Sequence, residues 1–160
     1  MTLPESWLVD DRVVTDAFIA ALKTYGEVAA LGNPDTIVGD DDAPGLGTTP
    51  QQIKIRQLPD GASLSGGMYL SEGSVRGMKL QLHCVGETRQ QGQGLAAMAM
   101  RFLFDRTDVG GDAGDYLSPI VIDKHVIFRR ELVSYVGSVD SGRASGRVIH
   151  VRLHVQRTER

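Results

Sequence analysis

The chain is predicted to fold as a single α+β domain spanning residues 1–160, with an antiparallel or mixed β-sheet and two α-helices packed on one face. Three observations predict this. Two segments, Asp11–Tyr25 and Thr88–Arg106, repeat apolar residues at helical spacing. Several runs alternate apolar and polar residues with a period of two, as half-buried strands do. The order is helix, strands, helix, strands, so neighbouring strands can pair directly without crossover helices.

In the first segment Asp10 or Asp11 can cap a helix start, because a short acceptor side chain satisfies free amide N–H groups there. Val14, Phe18, Ala21, Leu22 and Tyr25 share one arc of the helical wheel, opposite Asp16, Lys23 and Glu27. Gly26 reads as the stop signal. A short β-branched stretch, Thr36-Ile37-Val38, precedes a loop from Gly39 to Gly47. In Gln52–Leu58, Ile53 and Ile55 alternate with Lys54 and Arg56, and Pro59-Asp60-Gly61 is a turn. Residues 62–74 are rich in Gly and Ser and read as a long loop.

The clearest strand is Gly77–Val85, with Met78, Leu80, Leu82 and Cys84 on one side and Lys79, Gln81 and His83 on the other. Gly86 ends it. Thr88 then opens the second helix, with Gln91 placed to complete a capping box. Val109–Asp115 reads as a Gly/Asp loop. Two strands follow, around Val126–Val136 and Arg147–Arg157, joined by a polar, Gly-rich turn over Gly137–Gly146, so the pair reads as a C-terminal β-hairpin. In the last strand Ile149, Val151, Leu153 and Val155 are expected in the core, and His150, Arg152, His154 and Gln156 on a wet face.

Composition narrows the function classes. With 41% apolar and 23% charged residues, the chain can build a core and is not a disordered segment. The net charge of −3 gives no bulk reason to expect a dedicated nucleic-acid binder. The first residues lack the basic-then-apolar layout of a signal peptide, and the longest apolar run, Leu95–Met100, is far short of the ~20 residues that span a bilayer. A protein made in the cytoplasm, with no membrane partner, is expected.

No residue pattern points to catalysis. His150 and His154 lie two same-face steps apart on a strand, about 13 Å, too far to share one zinc ion. His83 and His125 have no neighbouring ligand at a chelating spacing. Asp40-Asp41-Asp42 lacks the alternating oxygen ligands and distal carboxylate of a calcium loop. Gly92-Gln93-Gly94, with Ala97 following, falls inside the second helix, past the turn where a dinucleotide phosphate would sit. The single Cys84 reads as a small buried hydrophobe. No cofactor and no metal is expected, and the chain is read as a non-enzyme.

Two surface features stand out. Leu95, Ala99, Phe102 and Leu103 form the expected core stripe of the second helix, yet Ala97, Met100 and Phe104 occupy its other side. A helix apolar nearly all round is buried on more than one face, either under another subunit or under a part of its own chain. Ala97, Met100 and Phe104 are therefore the candidate interface with a subunit or partner. Arg143, Arg147 and Arg152, with Arg157 and Arg160, make the C-terminal hairpin locally positive and are the candidate docking or lumen face.

The stretch Ile53–Asp105 resembles the tail terminator proteins of long non-contractile tailed phages, particularly those of actinobacteriophages. The resemblance rests on Ile55-Arg56-Gln57-Leu58-Pro59-Asp60-Gly61, a Gly-rich segment with Gly66 and Gly67, and Val85-Gly86-Glu87-Thr88-Arg89 leading into Gln90-Gln91-Gly92-Gln93-Gly94-Leu95-Ala96. The flanking helix and strand pair extend it over most of the chain. It departs from the family at Gly92, where Ala is common, and near Gly94, where charged or bulky residues are. The resemblance implies a virion protein that forms a ring, commonly a hexamer, on the head-proximal end of the tail tube. Its partners would be itself, the tail tube protein and the head–tail connector or stopper, with non-specific contact to passing DNA. Another neck or minor tail protein is the alternative, followed by a small hydrolase or ligand-binding domain. Since no ligand set is present in the sequence, excess chelator is expected to leave the melting midpoint within ~4 °C of its original value, a shift that only about 1–2 kcal/mol would produce at this size.

Overall fold

The computed structural model describes residues 9–31, 37–39, 51–58, 75–109, 112–141 and 144–158. In chain order its elements are helices α1 (Asp11–Thr24) and α2 (Gly26–Ala29), strands β1 (Ile37–Gly39), β2 (Gln51–Leu58) and β3 (Val75–Gly86), helix α3 (Arg89–Phe104), and strands β4 (Arg106–Val109), β5 (Asp112–Tyr116), β6 (His125–Ser141) and β7 (Ala144–Arg157). The class is α+β. Five strands form one sheet in the order β1-β2-β3-β7-β6, and β4 and β5 form a separate pair. Only β1 runs parallel to its neighbour, and the sheet is therefore mixed.

Helix α1 starts where its cap chemistry dictates. The Asp10 side chain accepts from the amides of Arg12 and Val13 at 3.1 and 3.2 Å. Val14, Phe18 and Leu22 follow on one face and are fully buried. Asp11 ties this end to the sheet, accepting from Gln57 at 2.8 Å and from Arg76 at 2.6 Å. The stop expected at Gly26 falls earlier. Tyr25 adopts an extended backbone, and Gly26 opens the short helix α2 instead of ending α1. Its Glu27 receives a two-pronged bond from Arg101 of α3, both contacts at 2.8 Å.

Thr88 caps α3 through the amide of Gln91, while the Gln91 side chain reaches back to the amide of Glu87 rather than to that of Thr88. The close passage of β3 into α3 requires Gly86: a Cβ there would lie 2.5 Å from the Gln91 Cβ. Leu95, Ala96, Ala99, Phe102 and Leu103 of α3 join Ile53, Ile55, Met78, Leu80, Leu82, Cys84, Ile149, Val151, Leu153 and Val155 in one buried cluster with the α1 stripe. Phe18 and Phe102 meet edge to face with centroids 5.7 Å apart.

Two expected loops are strands. Most of Val109–Asp115 belongs to the β4–β5 pair, where Arg106 lies over the Tyr116 ring at 4.1 Å. The turn expected over Gly137–Gly146 is also strand on both sides, since β6 and β7 stay paired out to Ser141 and Ala144. Gly146 is needed within that pairing, because a Cβ would approach the His83 ring nitrogen to 2.7 Å. The Gly-rich stretches 40–50 and 59–74 lie outside the described residues.

The C-terminal end of α3 is closed by a side chain far away in sequence. Arg130 of β6 is buried and donates to the carbonyls of Phe102 at 3.2 Å and Leu103 at 3.0 Å, and to that of Ser118 at 2.7 Å. Its guanidinium stacks 4.2 Å above the Tyr116 ring, and the Tyr116 hydroxyl accepts from the Arg130 amide. Two of the four orphan carbonyls of the helix end are satisfied by one cation, which also complements the helix dipole. Arg130→Ala is expected to leave three buried carbonyls without this donor and to cost about 3 kcal/mol. Arg130→Lys, which lacks the planar fork, should recover less than half of that loss. Urea midpoints of the three proteins measure both effects.

Candidate functional site

The strongest surface feature is strand β6. It lies at the open edge of the sheet, paired with β7 on one side. Three irregularities interrupt that pairing, between Ile127 and Arg129, Leu132 and Ser134, and Val136 and Val139. Each extra residue shifts which side chains face the helices. Ile127, Arg130, Leu132 and Tyr135 sit opposite the core-facing Val155, Leu153, Val151 and Ile149, while Arg129, Glu131 and Ser134 sit opposite His154, Arg152 and His150. The core layer covers Arg130 but stops short of Leu132 and Tyr135, which are 43% and 42% exposed. Phe128, Val136 and Val126 are exposed to 51%, 45% and 49% on the opposite face, beside His154 and opposite Val148 and Gln156, so β6 exposes large apolar side chains on both of its faces. An open strand edge normally invites strand addition, and bulges are a common device that discourages it. Contact through the side chains is what this strand offers.

The stripe expected at Ala97, Met100 and Phe104 is only partly open. All three are half-buried, and Met100 and Phe104 pack against the chain's own core. On the helical wheel they lie opposite Leu95, Ala99 and Phe102 and next to Arg101, which pairs with Glu27 of α2. Sequence reasoning pointed to this side of α3 but missed the exposed apolar residues of β6.

The three arginines expected to share one face do not do so. Arg143 lies outside the described residues. Arg147 and Arg152 are five residues apart on a strand whose register with β3 is unbroken, so they point to opposite faces. Arg147 sits opposite buried Cys84 on the helix side, 5.8 Å from the Tyr135 ring, and Arg152 lies on the other face, 3.5 Å from Glu131.

That second face is basic rather than merely wet. Lys54, Arg56, Lys79, Arg129 and Arg152 project from it, and Glu131 is the acid among them. His154 there is nearly fully buried, 3.1 Å from Glu131 and beside the Phe128 ring. The bond to His154 holds Glu131 below the usual carboxylate range. His150 bridges Ser134 at 2.9 Å and Gln81 at 3.1 Å. The Ser134–His150 contact is a cross-strand pair on a sheet face. Burial, reinforced by Lys54 beside His83 and Lys79 beside His150, pushes both histidines below their ordinary value.

Other candidate groups are accounted for. His125 accepts the Asp10 amide on Nε2 at 3.1 Å and contacts the Asp123 carbonyl through Nδ1 at 2.6 Å, joining β6 to the start of α1. Burial pushes the Cys84 thiol up to about 12, which leaves no thiolate for chemistry. Gly92 and Gly94 lie within α3, and Asp40-Asp41-Asp42 is outside the described residues. Among the described residues no cluster of three His, Cys, Asp or Glu could hold a metal ion, and no helix is long and apolar enough to cross a membrane. A cleft of 380 Å³ opens between the α1–α2 turn, the end of α3 and the segment Leu117-Ser118-Pro119. No protein-family model matches the chain, and a search of curated proteins finds no match.

The lowered values of His83 and His150 carry a pH dependence. A histidine whose folded pKa is depressed favours the folded state when neutral, so its contribution is complete above the ordinary 6.5 and is lost as pH falls through the folded values. The corresponding loss from Glu131 begins only below the ordinary 4.5. Between pH 7.5 and 5 the urea midpoint should therefore drop, and a His83→Gln, His150→Gln variant should drop less.

Proposed function

We propose that this protein is a structural subunit of a phage virion, a tail terminator that assembles into a ring at the head-proximal end of the tail tube. The observation that carries the reading is the number of large apolar side chains that the edge strand β6 leaves exposed along its length. Large contiguous apolar patches on a surface mark contacts with other proteins, and burying each of these side chains is worth roughly 1.5–3 kcal/mol. The resemblance over Ile53–Asp105 supplies the kind of assembly, and no catalytic role is part of the reading.

In each subunit the two helices on one face of the sheet and the C-terminal strand pair form the body. The half-buried side of α3 that carries Ala97, Met100 and Phe104 is a second candidate contact. The tail tube protein and the head–tail connector are the axial partners. Passing DNA touches the basic sheet face only through non-specific, salt-dependent phosphate contacts.

Leu132→Asp with Val136→Asp is expected to leave the circular dichroism spectrum unchanged, since neither side chain belongs to the buried core, and to abolish assembly. Sedimentation velocity should show rings for the parent protein and monomers for the variant, and the variant should leave tail tubes uncapped in electron micrographs. A folded variant that still forms rings would sink the assignment of β6 as the contact.

A further inference from the structure

We infer that the basic face of β6 at Phe128 and Arg129 docks head-to-tail into the cleft between α1–α2 and Leu117 of a second copy, with Phe128 entering the cleft and Arg129 meeting Asp105. The inference rests on the ring reading above and names the two surfaces that would join.

Two non-identical, matching surfaces exist on one chain. Phe128 occupies the first irregularity of β6, protrudes with half its surface exposed, and stands next to exposed Arg129. The cleft is concave and has apolar walls in Phe102, Leu117 and Pro119, with Leu117 57% exposed. Its volume, 380 Å³, is in the range of ~300–1,000 Å³ that accepts bulky ligands, so an aromatic ring fits.

Charge selects between docking modes. Glu27 at the cleft is already bonded to Arg101, which leaves the exposed Asp105 as the carboxylate at the rim. Phe128 lies on the basic face together with Arg129, Arg152 and Lys79, and Glu131 there is already engaged by Arg152 and His154. Packing two such faces against each other would bring these cations together. Packing this face against the cleft brings Arg129 to Asp105. A contact between unlike surfaces repeats from copy to copy, giving a ring where the rotation closes, whereas a contact between like surfaces closes as a dimer.

The test uses the full chain in two variants, Phe128→Ser to remove the protruding ring and Asp105→Lys with Leu117→Lys to reverse the cleft. All three positions are exposed, and circular dichroism checks each fold. Each variant alone is expected to be monomeric, with self-affinity lowered about thirtyfold or more, as for the loss of an interface anchor. An equimolar mixture should form dimers and nothing larger, because only one intact pair of surfaces is left. In addition, Arg129→Asp combined with Asp105→Arg should assemble better than either single change. If the cleft variant assembles like the parent, or the mixture stays monomeric, the head-to-tail contact is wrong although the ring reading survives. If the parent protein itself is monomeric at every concentration tested, alone and with tail tubes, both fall.

Discussion

The buried guanidinium of Arg130 is the constraint on which the rest of this structure depends. Its bonds reach the last turn of α3, the segment after β5, and by stacking the Tyr116 ring. Without them the end of α3 would lose its hydrogen-bonded link to β6. Burial lowers the pKa of this arginine, but from so high an ordinary value that the charge is kept. A second tie lies at the other end of the same stretch, where His125 accepts the amide of Asp10 at the start of α1. Both ties fall in the first six residues of β6. Beyond Arg130 the strand is fixed by its pairing with β7, and its helix-side residues Leu132 and Tyr135 emerge from under the core layer. The anchored half positions the exposed half, which is how a 17-residue edge strand can present apolar side chains without being mobile.

The sheet has one apolar and one basic face, and strict alternation in β3 and β7 generates both. Leu80, Leu82, Val151 and Leu153 fill the core, while Lys79, Gln81, His150 and Arg152 line the opposite side. A protein with net charge −3 therefore carries a concentrated positive field on one surface. That field reaches the histidines embedded in it, and it is interrupted at Glu131. The same alternation decides the arginines: one odd step separates Arg147 from Arg152, and they serve different surfaces.

Much of the frame was legible in the sequence wherever side chains kept a period. The stripe Val14-Phe18-Leu22, the cap at Thr88 and the alternating runs around Ile53, Leu80 and Val151 all mark elements the structure contains. Where the period fails, legibility fails with it. The bulges of β6 put Phe128 and Val133 out of phase, so no face could be assigned to its apolar residues. The β4–β5 pair is held by backbone bonds and the Arg106–Tyr116 stack rather than by apolar alternation, and its Gly and Asp content read as a loop. Glycines at 137 and 146 signalled a turn, although the pairing needs only backbone there. The role of Arg130 depends on contacts nearly thirty residues away in sequence, which no local pattern encodes. At Met100 and Phe104 the chain's own core supplies part of the covering that the apolar pattern called for.

Hydroxyl-radical footprinting of side chains at increasing protein concentration tests the central claim most directly. If β6 is the assembly surface, Phe128, Leu132 and Tyr135 lose reactivity as assembled species accumulate. Equal reactivity of the β6 residues in monomer and assembly, or protection confined to Met100 and Phe104, would contradict it.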